Sequence, residues 1–241
     1  NVLKLGVVER PVPGVGQVLV QVAATSVNRP DLVQREGNYP PPKGESEILG
    51  LEIAGTIAEL GCETRGWKVG DRVLALIGGG GYAEFATAHV GHLIRIPDQI
   101  PFVEAACICE TYITAYLNLF RIAGLGNGET ALLHGGGGGV NTAAIQLCRA
   151  LVPNATILVT ASPGKVDRVR ALGVEFVIDY QNKEFSEEVK QLTGGRGADV
   201  ILDHIGAAYL AANMKSLAVE GTLVVIGVTG GIRSELNLAT M

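Results

Sequence analysis

Apolar and polar residues alternate from 17 to 24 (QVLVQVAA), the period of a strand with one face buried, and Pro11, Pro13, Gly14 and Gly16 mark a turn before it. The next segment, 25–42 (TSVNRPDLVQREGNYPPP), is polar and proline-bearing, with room for one or two helical turns over 31–36 before Gly37 stops them. Further runs within 50–61 (GLEIAGTIAELG), 69–78 (VGDRVLALIG) and 80–88 (GGYAEFATA) read as short strands bounded by glycines. Strands of this length and spacing predict a small barrel or sandwich rather than a βαβ unit.

The pattern changes near Pro101. Residues 101–123 are apolar at spacings of three and four and predict a helix or a helix pair, ended by Gly124 and Gly126. From Thr130 onward, strand-like runs (130–134, 155–161, 176–180, 199–203 and 222–227) alternate with amphipathic helical stretches (140–151, 165–172, 185–192 and 208–217). Near-continuous Val, Ile and Leu in these strands means burial on both faces, and hence a parallel sheet covered by helices. The fold class expected is α/β, a β domain over 1–103 followed by a doubly wound nucleotide-binding domain over 104–241.

Candidate chemistry sits where the first of these strands meets its helix, at five consecutive glycines, 135–139. A flexible surface loop would look the same, but a glycine turn between strand and helix also aims the helix's free N–H groups at a phosphate. Gly138 and Gly139 occupy fingerprint positions, whereas the last such position is Asn141, a side chain expected to loosen the contact of helix on strand. An NAD-preferring site places Asp or Glu at the end of the second strand. Here the residues are Thr160, Ala161 and Ser162, with Lys165 and Arg168 beyond, so a ribose phosphate meets no carboxylate and NADPH is the expected cofactor. The alternative is that Lys165 and Arg168 form the solvated face of the next helix.

Composition narrows the class. No apolar run among the 241 residues approaches the roughly 20 needed to span a bilayer, so the chain reads as soluble. A formal charge of −5 without a dense Lys/Arg block argues against nucleic acid as partner. Cys62, Cys107, Cys109 and Cys148 show neither a disulfide framework nor zinc-knuckle spacing, which suits a reducing, cytoplasmic setting. His89 and His92 lack an accompanying Cys or acidic pair, and their segment reads as strand rather than as a metal site.

The segments AATSVNRPDLVQREGNYPPP, ILGLEIAGTIAELG, WKVGDRVLAL, GGYAEFA, CETYITAY, LLHGGGGGVNTAAIQL and DVILDHIG span the chain nearly from end to end. Together they resemble the zinc-free quinone oxidoreductases of the medium-chain dehydrogenase/reductase superfamily, the zeta-crystallin-like group. That resemblance implies a GroES-like substrate domain, then a Rossmann domain, with the active site in the cleft between them. It implies Asn28 and Tyr39 near the nicotinamide and the quinone, and Thr114 near the nicotinamide or its phosphates. Gly138, Gly139 and Val140 match the pyrophosphate turn, Ala161, Ser162 and Lys165 the ribose-phosphate pocket, and Tyr180 a residue beside the adenosine half. Ile205, Gly206 and Gly227 lie at the carboxyl ends of the fourth and fifth strands, where open sheets bind ligands.

Where zinc-dependent relatives carry a Cys and a His-Glu pair, this chain has Arg29 and Leu51-Glu52, which implies metal-free chemistry with Glu52 as a structural acid. Cys109 replaces the family's usual Pro, and Val33 a Tyr of some members, implying a more apolar quinone pocket. The family continues past the equivalent of Met241 with a sixth strand, often used for homo-oligomer contact, and a segment returning to the substrate domain. The reaction implied is hydride transfer from NADPH to a small quinone without metal or flavin, solvent supplying the proton. The alternatives are reduction of a 2-alkenal or enone double bond, and a truncated NADPH-binding protein without turnover.

Overall fold

A computed structural model describes residues 3–238, so Asn1, Met241 and the sixth strand expected beyond it fall outside the described residues. The chain divides into two compact units between Glu110 and Thr111. The first contains β1 (Gln17–Thr25), α1 (Arg29–Arg35), β2 (Glu52–Leu60), β3 (Arg72–Leu76), β4 (Phe85–His89), β5 (Leu93–Arg95) and α2 (Phe102–Ala105). Its strands form one antiparallel sheet in the order β4-β1-β2-β3-β5, not the two sheets of a sandwich. The alternation read in the sequence puts Ile53, Ile57, Val73 and Ala75 on one face, in a cluster with Val18, Val20, Ala86 and Ala88. The other face, Ala54 and Leu74, packs against Ala105, Ala106 and Cys109. That contact is why residues 104–110 belong with the β unit rather than with the domain that follows.

Strands β1 and β2 approach so closely that a Cβ on Gly55 would stand 2.1 Å from the Gln21 carbonyl oxygen. Because that neighbour is backbone in a paired strand, Gly55→Ala is expected to destabilise the chain by about 1–3 kcal/mol, read as a fall in midpoint in urea denaturation.

Residues 101–123 are not one α-helix. After α2 come a π-helical turn (Cys109–Ile113), α3 (Thr114–Tyr116) and a second π-helical stretch (Leu117–Ile122). The Asn118 side chain donates to the Thr114 carbonyl at 2.8 Å, taking an acceptor of the helical ladder, and Ala123 N bonds five residues back to Asn118.

The second unit continues with β6 (Thr130–His134), α4 (Gly139–Leu151), β7 (Thr156–Ala161), α5 (Val166–Ala171), β8 (Phe176–Asp179), α6 (Phe185–Leu192), β9 (Ala198–Asp203), α7 (Leu210–Ser216) and β10 (Leu217–Val225). Its strands are parallel, in the order β10-β9-β6-β7-β8. The order reverses between β6 and β9, which makes the carboxyl end of β6 the place where an open α/β sheet receives a ligand. Leu132, Leu133, Leu158, Val159, Ile201 and Leu202 are fully buried, as the unbroken apolar runs required.

Candidate functional site

Past His134 the chain enters the glycine turn and leaves as α4, with Gly138 at the N-cap. Contacts set this turn apart from a flexible loop. A Cβ on Gly135, whose φ is +76°, would stand 2.4 Å from His204 Cε1. At Gly136 it would stand 2.1 Å from Val159 Cγ1, and at Gly137 2.5 Å from Lys165 Cδ. Gly135 and Gly136 donate their N–H groups to the Thr160 carbonyl at 3.0 and 2.9 Å. Gly139, Val140 and Asn141 open the 13-residue helix and have no intrahelical acceptor for their N–H groups, leaving a positive end for an anion.

A cavity of about 220 Å³ opens on this turn. The structure brings Gly138, Ala161, Ser162, Lys165, Tyr180 and Ile205, all named as candidates from the sequence, to its wall. It adds Thr160, His204 and Tyr209, which that reading did not assign; His204 follows directly on β9, and its position at a strand's carboxyl end was the available signal. None of the lining side chains is acidic, and Lys165 carries their only formal charge. Glycines where side chains would intrude and a helix end fit the pyrophosphate of a dinucleotide.

Other expected site residues stand off this wall. Gly139 and Val140 form the first turn of α4, Gly139 tight against Thr111 and Val140 half-buried against the core. Thr114 begins α3. Gly206 has φ +79° and donates to Asp203, while Gly227 abuts the His204 backbone, so both shape the loops after β9 and β10.

Beneath the turn lies a buried polar layer that sequence reasoning missed. The fully buried His134 has Nδ1 3.1 Å from Thr160 Oγ1 and Nε2 2.7 Å from Asn213 Oδ1. Asn213 Nδ2 donates to Asp203 Oδ2 at 3.1 Å, and Asp203 also accepts the Ile205 and Gly206 N–H groups at 2.6 and 3.1 Å. Because Asn213 presents its oxygen, His134 carries its proton on Nε2 and accepts on Nδ1 from the Thr160 hydroxyl, which in turn accepts from Gly135 N at 3.1 Å. With the imidazole neutral, each donor of the layer meets an acceptor. Burial pushes the His134 pKa down to about 4, against weaker opposing effects of Asn213 and Asp203.

The expectation for Asn141 is corrected. Its side chain is 3% exposed, and its Nδ2 donates to the His134 carbonyl and, at 3.3 Å, to the Gly135 carbonyl. The side chain that stands in place of the fingerprint glycine makes hydrogen bonds that tie the helix to the turn.

In the first unit, Asn28 precedes α1 and donates through Nδ2 to Glu52 Oε1 at 2.8 Å and to Ser26 Oγ at 2.9 Å. Glu52 is buried; Oε1 also accepts from Ser26 Oγ, and Oε2 from Glu110 N at 3.0 Å. Burial first, then Glu52 and Asp31, raises the Glu110 pKa above the usual carboxylate value. Tyr39 is 46% exposed in the loop after α1. His89 ends β4 and accepts from Gly91 N at 3.1 Å, and residues 90–92 form a 3₁₀ turn rather than strand. Among the described residues no group of three or more His, Cys, Asp or Glu side chains could hold a metal ion, and no helix is long and apolar enough to cross a membrane.

An antiparallel β unit followed by a Rossmann unit with a tight glycine turn at its switch point defines a dinucleotide-binding α/β protein. Residues 139–241 match the family described as zinc-binding dehydrogenase, and 14–98 the alcohol dehydrogenase GroES-like domain. The chain is 32% identical to the quinone oxidoreductase of Pseudomonas syringae pv. tomato DC3000, with a TM-score of 0.87, covering 98% of this chain and 72% of that one. It is 31% identical to the CurK enoyl reductase, with a TM-score of 0.86, covering 94% and 70%. The synaptic vesicle membrane protein VAT-1 homolog-like of Mus musculus is 34% identical over 99% of this chain, which spans 57% of that relative's length. The chain belongs to the medium-chain dehydrogenase/reductase superfamily, in which its two units are the GroES-like and Rossmann domains.

Proposed function

We propose that this chain carries the catalytic and cofactor domains of an NADPH-dependent reductase that delivers hydride to a small quinone, without metal or flavin. Within the superfamily this is the zeta-crystallin-like reading, nearest the tumour-suppressor-inducible NADPH quinone oxidoreductases. The observation that carries the cofactor choice is the cavity at the glycine turn, whose wall has Lys165 and no carboxylate. When bound, the nicotinamide supplies hydride; the chain binds and orients. The first turn of α4 receives the pyrophosphate, and Ser162 and Lys165 receive the ribose phosphate. Tyr180 and Tyr209, with ring centroids 6.4 Å apart, flank the adenosine half.

In the first unit, Tyr39 guides the acceptor carbonyl by a modest factor, while Asn28, with both amide hydrogens held by Glu52 and Ser26, bounds the acceptor's site by shape rather than by donating to it. Arg29 offers no metal ligand, and the carboxylate oxygens of Glu52 are committed to Ser26, Asn28 and Glu110 N, so Glu52 holds Asn28 in place. Solvent protonates the reduced quinone. A reducing, cytoplasmic setting and a homo-oligomer complete this reading.

The similarity to enoyl reductases favours one second reading, reduction of an activated carbon–carbon double bond. Oxidation of NADPH and NADH by the purified chain, with an ortho-quinone and with a 2-alkenal, separates the two. The expected result is turnover with NADPH and the quinone, and at least about tenfold less with NADH. Faster turnover with the alkenal overturns the quinone assignment, and tight NADPH binding with no oxidation by either acceptor leaves a binding protein.

A further inference from the structure

Five consecutive glycines pay the largest conformational entropy of any run of residues on ordering, yet this turn must be ordered to present N–H groups to a ligand. Hydrogen bonds hold it from both sides. The peptide unit joining His134 to Gly135 has its N–H on the Thr160 carbonyl at 3.0 Å and its C=O on Asn141 Nδ2. The next unit, Gly135 to Gly136, has its N–H on the same Thr160 carbonyl at 2.9 Å. Its C=O accepts from Asn141 Nδ2 at 3.3 Å and from Gly138 N at 3.0 Å. One side chain therefore closes both clamps. The amide cannot be turned over, because Oδ1 would then face two carbonyl oxygens.

As oriented, Asn141 Oδ1 is buried without a hydrogen-bond partner. A glycine at this position would spare the chain that uncompensated acceptor. What Asn141 offers in exchange is its two donors to the turn.

We propose that Asn141 is a positioning residue for dinucleotide binding: by holding the His134 and Gly135 carbonyls, it fixes the glycine turn in its phosphate-receiving geometry before the ligand arrives. The inference rests on the reading of this turn as a pyrophosphate site.

The test compares the whole chain with Asn141→Ala and with Asn141→Ser, which keeps one short donor should the alanine variant fold poorly. Affinities are measured for NADPH and for adenosine 2′-monophosphate, which lacks the pyrophosphate, and amide exchange of Gly135 and Gly136 is followed without ligand. The expected result is about a tenfold loss of NADPH affinity, unchanged affinity for the monophosphate within about twofold, and amide exchange about tenfold faster at the turn. Equal loss for both ligands, or unchanged exchange at the turn, overturns the proposal. If the unaltered chain binds no dinucleotide, the functional reading fails while the exchange comparison still decides the role of Asn141.

Discussion

Lys165→Ala raises the dissociation constant for NADPH by about 10- to 100-fold and leaves that for NADH within about twofold, since a charge-assisted bond to the ribose phosphate is lost and nothing else is. The expectation follows from the wall of the cavity, where Lys165 is the only charged side chain and stands beside Ser162. Lys165 is exposed, so the effect shrinks as salt rises; titrations at 50 mM and 500 mM salt should differ for the unaltered chain and coincide for the variant. The lysine's placement depends on the turn. Its stem lies over Gly137, where a Cβ would come 2.5 Å from Cδ, so Gly137→Ala displaces it and lowers the preference for NADPH in the same direction. Equal loss of NADPH and NADH in Lys165→Ala would show that the residue does not read the phosphate.

The second large effect is a loss of stability in acid, to which the buried His134 contributes. The imidazole ordinarily titrates at 6.5, and burial holds it at about 4 in the folded chain, so the unfolded chain binds the proton more readily. The stability this contributes is complete above pH 6.5, falls as pH drops from 6.5 towards 4, and is gone below that. A shift of this size corresponds to roughly 3 kcal/mol, about 1.4 kcal/mol for each pH unit within the window. His204, also held low by burial, adds in the same sense. Glu110 opposes: its raised pKa makes protonation favour the folded state. Denaturant titrations from pH 7.5 to pH 4 on the unaltered chain and on His134→Gln separate these contributions. The variant is less stable at neutral pH and has a shallower slope between pH 6.5 and 4; an unchanged slope would place the effect elsewhere.

Periodicity of a few residues was enough to read the doubly wound half. The unbroken apolar strands 130–134 and 199–203 demanded burial on both faces, and helices of the right length lay between. It was less informative for the first unit. Alternation located β1, β2 and β3, but whether their second face closes into a barrel, meets another sheet or takes a helix depends on partners far along the chain. In the event Ala54 and Leu74 are covered by residues 105–109. The helix or helix pair read over 101–123 takes the form of α2 and a longer helical stretch from Cys109 to Ile122; its π-helical turns, the second beside the capture of the Thr114 carbonyl by Asn118, are what hydrophobic spacing does not register.

At the site the division is similar. The sequence by itself determined that a glycine turn joins a buried strand to a helix, that no carboxylate follows the second strand, and that a lysine does, because each is a matter of residue type at short spacing. Only the tertiary structure decided that Asn141 secures the turn instead of loosening it, and that His134, Thr160, Asn213 and Asp203 form one layer. His134 bonds partners 26 and 79 residues away, and they meet because parallel pairing sets the carboxyl ends of β6, β7 and β9 side by side with α7 beneath. No local pattern encodes that meeting; strand order and register create it.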